Sequence, residues 1–231
     1  MKKIAIIPAR GGSKRIPKKN IRDFLGKPII AYSIEAAIKS DIFDEVMVST
    51  DSEEIAEIAK RYGAKVPFLR SEKSADDHAP LIDVAKEVLE NYKNKGIDFD
   101  KVCMILPTAP FVDEQKLKKA NEILEEKNVD TVFTVTEYSF PIQRSLRIEN
   151  GYLKMKWPEN MNKRSQDLEK TYHDAGQFYF FDVKEFYIQN KVYMEKSYPI
   201  ILDNIEVQDI DTETDWKLAE LKYRLINNLE E

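Results

Sequence analysis

Cysteine is nearly absent from this 231-residue sequence: there is one, beside two histidines and two tryptophans. A lone thiol excludes an internal disulfide framework. The apolar run "VCMIL" around Cys103 marks it as a buried group of a reducing compartment, not a nucleophile. Long apolar runs are missing too. No stretch reaches the length of a bilayer span and residues 1–5 carry no signal-peptide core, so a cytoplasmic protein without a membrane partner is expected. A net charge of −5 removes the broad basic face of a general nucleic-acid binder, and no nucleic-acid partner is expected. Neither G-x-x-x-x-G-K-[ST] nor G-x-G-x-x-G occurs, which counts against a P-loop NTPase and against a dinucleotide dehydrogenase. There is no internal repeat and no low-complexity linker.

What remains is 42% hydrophobic and 33% charged, a balance that suits one globular domain over residues 1–231. Strand and helix patterns alternate. "KIAIIPA", "EVMVST", "KVCMILP" and "DTVFTVTEY" read as strands, and "AKVPFL" as extended chain. "PIIAYSIEAAIKS" reads as a helix opening on Pro28, and "EEIAEIAKRYG" as one capped by Asp51 or Ser52 and stopped at Gly63. "LIDVAKEVLENYKNKG" and "DEQKLKKANEILEEKN" complete the helices of this half. Such alternation predicts an α/β fold, a mostly parallel sheet with helices on both faces and ligand-binding loops at the carboxyl edge of the strands. After Tyr138 the pattern breaks. Asn150-Gly151 signals a hairpin, and residues 139–174 read as a small inserted lobe that supplies a substrate wall, a dimer contact or both. "GQFYFF" then returns as a strand, "VKEFYIQN" is a short helix, "IEVQDID" a late strand, and "TETDWKLAELKYRLINNL" a closing helix capped by Thr212.

Although the chain is acidic overall, residues 6–20, "IIPARGGSKRIPKKN", gather five cations directly after the first strand. Gly11 and Gly12 let the backbone turn tightly and approach a ligand, and successive amides in such a turn form an anion-binding concavity. Arg10, Lys14 and Lys19 add charge-assisted bonds, Ser13 and Asn20 neutral ones. Arg15, Lys18 and Arg22 are expected to face solvent. A solvated basic loop is the bland alternative, but its place at the ligand-binding edge favours a grip on phosphate. At the other end of the chain, Asp209 and Asp211 are two apart. On a strand both carboxylates would share one face while Ile210 points inward, an oxygen-rich site suited to Mg2+. Equally, Asp211 would cap the last helix, and Asp215 sits well in its first turn.

Several of these stretches together resemble one family. "IIPARGGSKRIPKKNI", "GKPIIAYSIEAA", "VSTD", "RYGAKVPFLR", "LPTAP" and "DIDTETD", which span most of the chain, look like the acylneuraminate cytidylyltransferases, the CMP-sugar acid synthetases. The resemblance implies a Rossmann-like nucleotidyltransferase fold and the joining of CTP to a nine-carbon keto acid with release of pyrophosphate. It implies that Arg10, Ser13, Lys14, Lys19 and Asn20, on the loop that includes Ala9, Gly11 and Gly12, hold the triphosphate and ribose. Arg70 and Asp77 would line the nucleotide pocket. Where relatives carry Gln this chain has Leu106, so Pro107 and Thr108 would shape the pocket through their backbone. Asp209 and Asp211 would hold Mg2+, and Arg10, Lys14, Lys19 and Asp211 would carry the chemistry, an in-line attack of the anomeric hydroxyl on the α-phosphorus.

The stretch "KRSQDLEKTYHDAGQFYFFD", with "FPIQRSL" before it, resembles the pseudaminic acid branch of that family. On that reading Arg144 or Arg164 would meet the acceptor's carboxylate. Gln143, Gln166 and Gln177 would bind acylamino groups, Phe140, Phe178 and Tyr179 would cover apolar faces, and His173 would contact or orient the substrate. His78 has less claim to such a role, and Trp157 and Trp216 read as packing residues. The rivals are the same reaction on N-acetylneuraminic, legionaminic or 3-deoxy-manno-octulosonic acid, or a non-catalytic nucleotide-binding protein. The aromatic content of residues 138–181 fits a homodimer contact.

Overall fold

A computed structural model describes residues 1–13, 15–71 and 80–229. β1 (Lys3–Pro8) leads through the cationic loop to a short ribbon, β2 (Asp23–Phe24) and β3 (Lys27–Pro28), then to α1 (Ile29–Ser40), β4 (Glu45–Ser49) and α2 (Glu53–Arg61). α3 (Leu81–Lys93), β5 (Lys101–Ile105), α4 (Glu114–Glu126) and β6 (Thr131–Glu137) follow. A hairpin of β7 (Leu146–Glu149) and β8 (Tyr152–Met155) precedes β9 (Tyr172–Asp182), α5 (Val183–Gln189), β10 (Ser197–Leu202) and α6 (Glu213–Asn227).

The main sheet has the order β10-β6-β9-β5-β1-β4. Its pairings are parallel except those of β9, which runs antiparallel to both β5 and β6. The reason is where the lobe is inserted. It leaves from the carboxyl end of β6 and returns beside it, Glu137 facing Tyr172, so the next strand must run the other way. Period-two alternation sends Ala5, Ile7, Cys103, Phe178 and Phe180 to one face, under α1, α2 and α4. Ile4, Ile6, Val102, Met104, Tyr179 and Phe181 go to the other, under α3 and α5. Cys103 is fully buried and burial pushes its thiol well above the usual range, as expected of an inert group. Among the described residues no helix is long and apolar enough to cross a membrane.

Local expectations meet the coordinates closely in this half. Ser52 caps α2 by accepting from the Ile55 amide, while Asp51 turns to another task described below. Pro28 stands just before α1, not within it. Asn150 and Gly151 both take positive φ, 52° and 82°, as a tight hairpin turn demands. The late part of the chain differs from the sequence reading in two places. Ser197–Leu202 forms an edge strand that the sequence pattern did not announce, with Pro199 tolerated because β10 pairs only with β6. "IEVQDID" is not a strand. A capping box between Asp203 and Glu206 turns the chain at Asn204–Glu206, and residues 207–211 run irregularly into α6.

A third cluster seats that irregular segment. Ile210 is buried with Phe24, Tyr32, Phe111 and Trp216, so the close of the chain packs on the ribbon that follows the cationic loop. Phe24 meets Tyr32 at 5.4 Å and Trp216 at 5.6 Å, both edge-to-face, contacts of about 0.5–1.5 kcal/mol each beyond their buried area. Packing of α6 against β2 therefore fixes where the late acids stand relative to the first loop.

Candidate active site

Because β1, β4, β5, β6 and β10 are parallel, the loops after them emerge at one sheet edge, and β9 begins there. In the first loop, the Ala9 amide donates to the Ser49 carbonyl at 2.9 Å, that of Gly11 to Asp51 Oδ1 at 2.8 Å, and that of Ser13 to the Gly11 carbonyl at 3.1 Å. Three amides of the expected concavity are thus engaged within the protein. Ala9 is core. Gly11 serves packing: a Cβ there would lie 3.2 Å from Ser52 Cβ at the start of α2. Buried Asn20 donates to the Arg10 carbonyl at 2.9 Å and so shapes the loop.

The cations divide by what they face. Lys18 pairs with Glu54 of α2 at 2.7 Å. Arg22 pairs with Glu213 at 2.5 Å, which raises its pKa, and lies 4.7 Å over the Trp216 ring. These two are structural. Lys19 donates to the Ile210 carbonyl at 2.6 Å and stands 3.7 Å from Asp211. Arg15 is 69% exposed, as expected, and also pairs with Asp211 at 2.8 Å. Arg70 is buried, donating from Nε to Ser49 Oγ at 3.0 Å. Desolvation lowers its pKa, against the pull of Asp51 and Glu87.

Arg10, Ser13, Arg15, Lys19, Asn20, Arg70, Pro107, Thr108 and Asp209 line one cavity of about 500 Å3. The early cations and Asp209 therefore face each other across a shared space, with Asp211 held against Arg15 and Lys19, although the strand argument for the acids was wrong. Ile210 does point inward, and Asp209 and Asp211 flank it outward. Asp209 opens onto the cleft, yet desolvation of its carboxyl and the neighbouring Asp211 charge raise its pKa, opposed by Lys19 and Arg15. Thr212 caps α6, with Asp215 completing the box. Lys14, Asp77 and His78 lie outside the described residues.

A second cavity, of about 620 Å3, adjoins the first and shares Leu106 and Asp209 with it. His173, Asp174, Thr136 and Lys222 lie on its walls. His173 Nδ1 sits 2.9 Å from the Asp174 carbonyl, which only accepts, so Nδ1 bears the hydrogen. The Asp174 carboxylate takes hydroxyls from Tyr179 and Tyr193 and, at 2.8 Å, the Gly176 amide. Those bonds, after desolvation, raise both tyrosines, Tyr193 to about 12.

Several expected substrate contacts stand elsewhere. Phe178 is fully buried in the core and Tyr179 nearly so on the opposite face, because β9 runs through the sheet interior; neither covers a ligand. Gln177 is buried and donates to the Glu206 carbonyl at 2.6 Å. Gln143 donates to the Glu169 carbonyl at 2.9 Å, Arg144 to Ser165 at 3.2 Å, and Arg164 pairs with Asp167 at 2.7 Å, so these three tie the lobe to itself. Gln166 lines a hollow of about 260 Å3 between lobe and sheet edge. The sequence reading missed the struts under the acids. Lys116 bridges Asp113 at 2.6 Å and Glu206 at 2.8 Å, and Lys222 donates to the Asn204 and Val207 carbonyls. Isolated lysines on amphipathic helices carry no signal of such duty.

A solved structure of CMP:2-keto-3-deoxy-manno-octonic acid synthetase complexed with CTP matches at a TM-score of 0.68 and 17% identity, covering 99% of this chain and 100% of that one. The fold is that class of nucleotidyltransferase. The chain belongs to the cytidylyltransferase family, whose profile matches residues 4–223. Among curated relatives, the pseudaminic acid cytidylyltransferase of Campylobacter jejuni is 44% identical over 226 residues, 97% of each chain. The CMP-N,N'-diacetyllegionaminic acid synthase of Legionella pneumophila is 37% identical over 95% of each.

Proposed function

We propose that this enzyme transfers CMP from CTP to the anomeric hydroxyl of a nine-carbon keto sugar acid, pseudaminic acid, and releases pyrophosphate, in the cytoplasm where CTP is made. The observation that carries the reading is the wall shared by two cavities. A nucleotide in the cation-lined cleft and an acceptor beside His173 would meet at Leu106 and Asp209. The middle segment and the 44% identical relative support pseudaminic acid as the acceptor.

Attack on a nucleotide phosphate is slow because negative charge repels the nucleophile and grows in the transition state; positioning and neutralisation supply most of the rate. Arg10 and Lys19 face the triphosphate and offset that charge. Asn20 and Arg70 keep the loop and the cleft floor in place. Asp209 and Asp211 suit a divalent cation. They supply hard oxygen donors, and desolvation together with the adjacent Asp211 charge raises the Asp209 carboxyl, a cost that a cation bound there would relieve. Bound there, Mg2+ supplies further neutralisation of phosphate and acidifies a nearby hydroxyl.

Incubation with CTP, Mg2+ and a panel of pseudaminic, legionaminic, N-acetylneuraminic and 3-deoxy-manno-octulosonic acids, read by product mass, tests this. CMP-pseudaminic acid is the expected main product. Product from legionaminic acid alone would move the substrate to the alternative that the Legionella relative favours, and no product from any acid would overturn the reaction. We assign the lobe to a homodimer contact as well. Phe140, Ile148 and Tyr152 are 83%, 76% and 75% exposed, apolar side chains that a second copy would cover. A scattering mass of two chains is expected; the mass of one would remove the assignment.

A further inference from the structure

A sugar acid entering the second cavity brings a carboxylate that must leave water, and a buried carboxylate needs a cation or several donors. Arg144 and Arg164, the partners suggested by sequence, are engaged within the lobe and line neither cavity. Among the described residues on the wall of the second cavity, Lys222 is the one with a fixed positive charge. Its ammonium donates to the Val207 carbonyl at 2.7 Å and the Asn204 carbonyl at 3.0 Å, both residues of the same wall. An ammonium has three hydrogens, so the third is left to donate. Burial lowers its pKa, and among the described residues no carboxylate pairs with it, so this cation has lost water without gaining a counter-charge. The other charges of the cavity sort the orientation. Asp174 is saturated by two tyrosine hydroxyls and an amide, and Asp209, on the shared wall, would repel a carboxylate toward the α6 side.

We infer that Lys222 receives the carboxylate of the acceptor acid and so orients its anomeric hydroxyl toward the nucleotide. This rests on the acceptor proposed above. The rival role is purely structural: Lys222 pins the Asn204–Val207 turn and touches no substrate.

Lys222→Gln keeps an amide donor for the turn and removes the charge; Lys222→Arg keeps the charge. The glutamine variant is expected to raise KM for the acid about 10- to 100-fold, the effect of one lost charge-assisted bond, and to leave KM for CTP within about twofold. The arginine variant should keep most of the acid affinity. Competition binding with the methyl ester of the same acid separates the roles, since the ester has no charge to lose. Wild type and Lys222→Gln should bind the ester alike and the acid differently. Equal weakening of ester and acid, or a parallel loss in both KM values, would overturn the inference and leave the turn-pinning role. A wild-type protein that uses no acid would take down the proposed reaction and this inference together, before any variant is made.

Discussion

Alanine at both Asp209 and Asp211 is expected to lower nucleotidyl transfer about a thousandfold or more while leaving a protein that still folds. Asp209 stands where the two cavities meet and Asp211 is where Arg15 and Lys19 converge, so their loss removes the anionic half of the site. The fold should survive because neither acid holds the segment in place. Glu206 is gripped by Lys116 and, through its carbonyl, by Gln177; Lys222 holds two further carbonyls; Ile210 is buried against Trp216. Two ion pairs would be lost, Asp211 with Arg15 at 2.8 Å and with Lys19 at 3.7 Å; Arg15 is 69% exposed and Asp211 35%, so such partly exposed pairs contribute about 1 kcal/mol or less each. Asp209 has a raised pKa, so its charge is disfavoured by the fold and its removal carries no penalty of that kind. Initial rates at saturating CTP, set beside the urea midpoint, check both halves of the expectation. A folded double variant with rates near wild type would end the metal assignment.

How much of this was legible in the sequence depends on what physics fixed each part. Elements bounded by local chemistry were readable: the Thr212 cap, the Ser52 cap, the Asn150-Gly151 turn and the alternating strands up to Glu137. β10 was not, because Pro199 in a short run argues against a strand unless the strand is known to be an edge, and edge position is a tertiary fact. The antiparallel course of β9 was equally hidden, since direction in a sheet is set by where the preceding lobe returns, which no window of residues contains. That one fact decided the fate of Phe178 and Tyr179. As residues of a cavity wall they would have been ligands; as residues of a central strand they are core. At the site, Arg10, Lys19, Asn20 and Asp209 were found by type and position and Arg70 through the family resemblance, and they do share a cavity. Arg15 faces solvent as expected, but its pairing with a residue 196 positions away was not legible.

Lys19→Met is expected to lower kcat/KM for CTP about 100- to 1000-fold, whereas Arg15→Met should cost less than about tenfold. Both cations reach Asp211 and both line the nucleotide cleft, so charge alone does not separate them. Burial and second contacts do. The Lys19 side chain is 22% exposed and its ammonium is held at 2.6 Å by the Ile210 carbonyl, between the cleft and the late acids. A phosphate there meets a cation already in position and partly stripped of water, which strengthens each contact. Arg15 must be recruited from solvent, and the entropy of fixing a long exposed side chain offsets much of its attraction. Lys19→Arg should recover only part of the loss. A planar guanidinium is broader than an ammonium and cannot occupy a socket shaped around one carbonyl and one carboxylate without displacing Ile210, whose burial with Trp216 seats the acids. Steady-state kinetics in CTP for the three variants decide the matter. Equal losses for Lys19→Met and Arg15→Met would mean that the loop attracts phosphate by summed charge, and that the position of Lys19 against the late segment has no catalytic consequence.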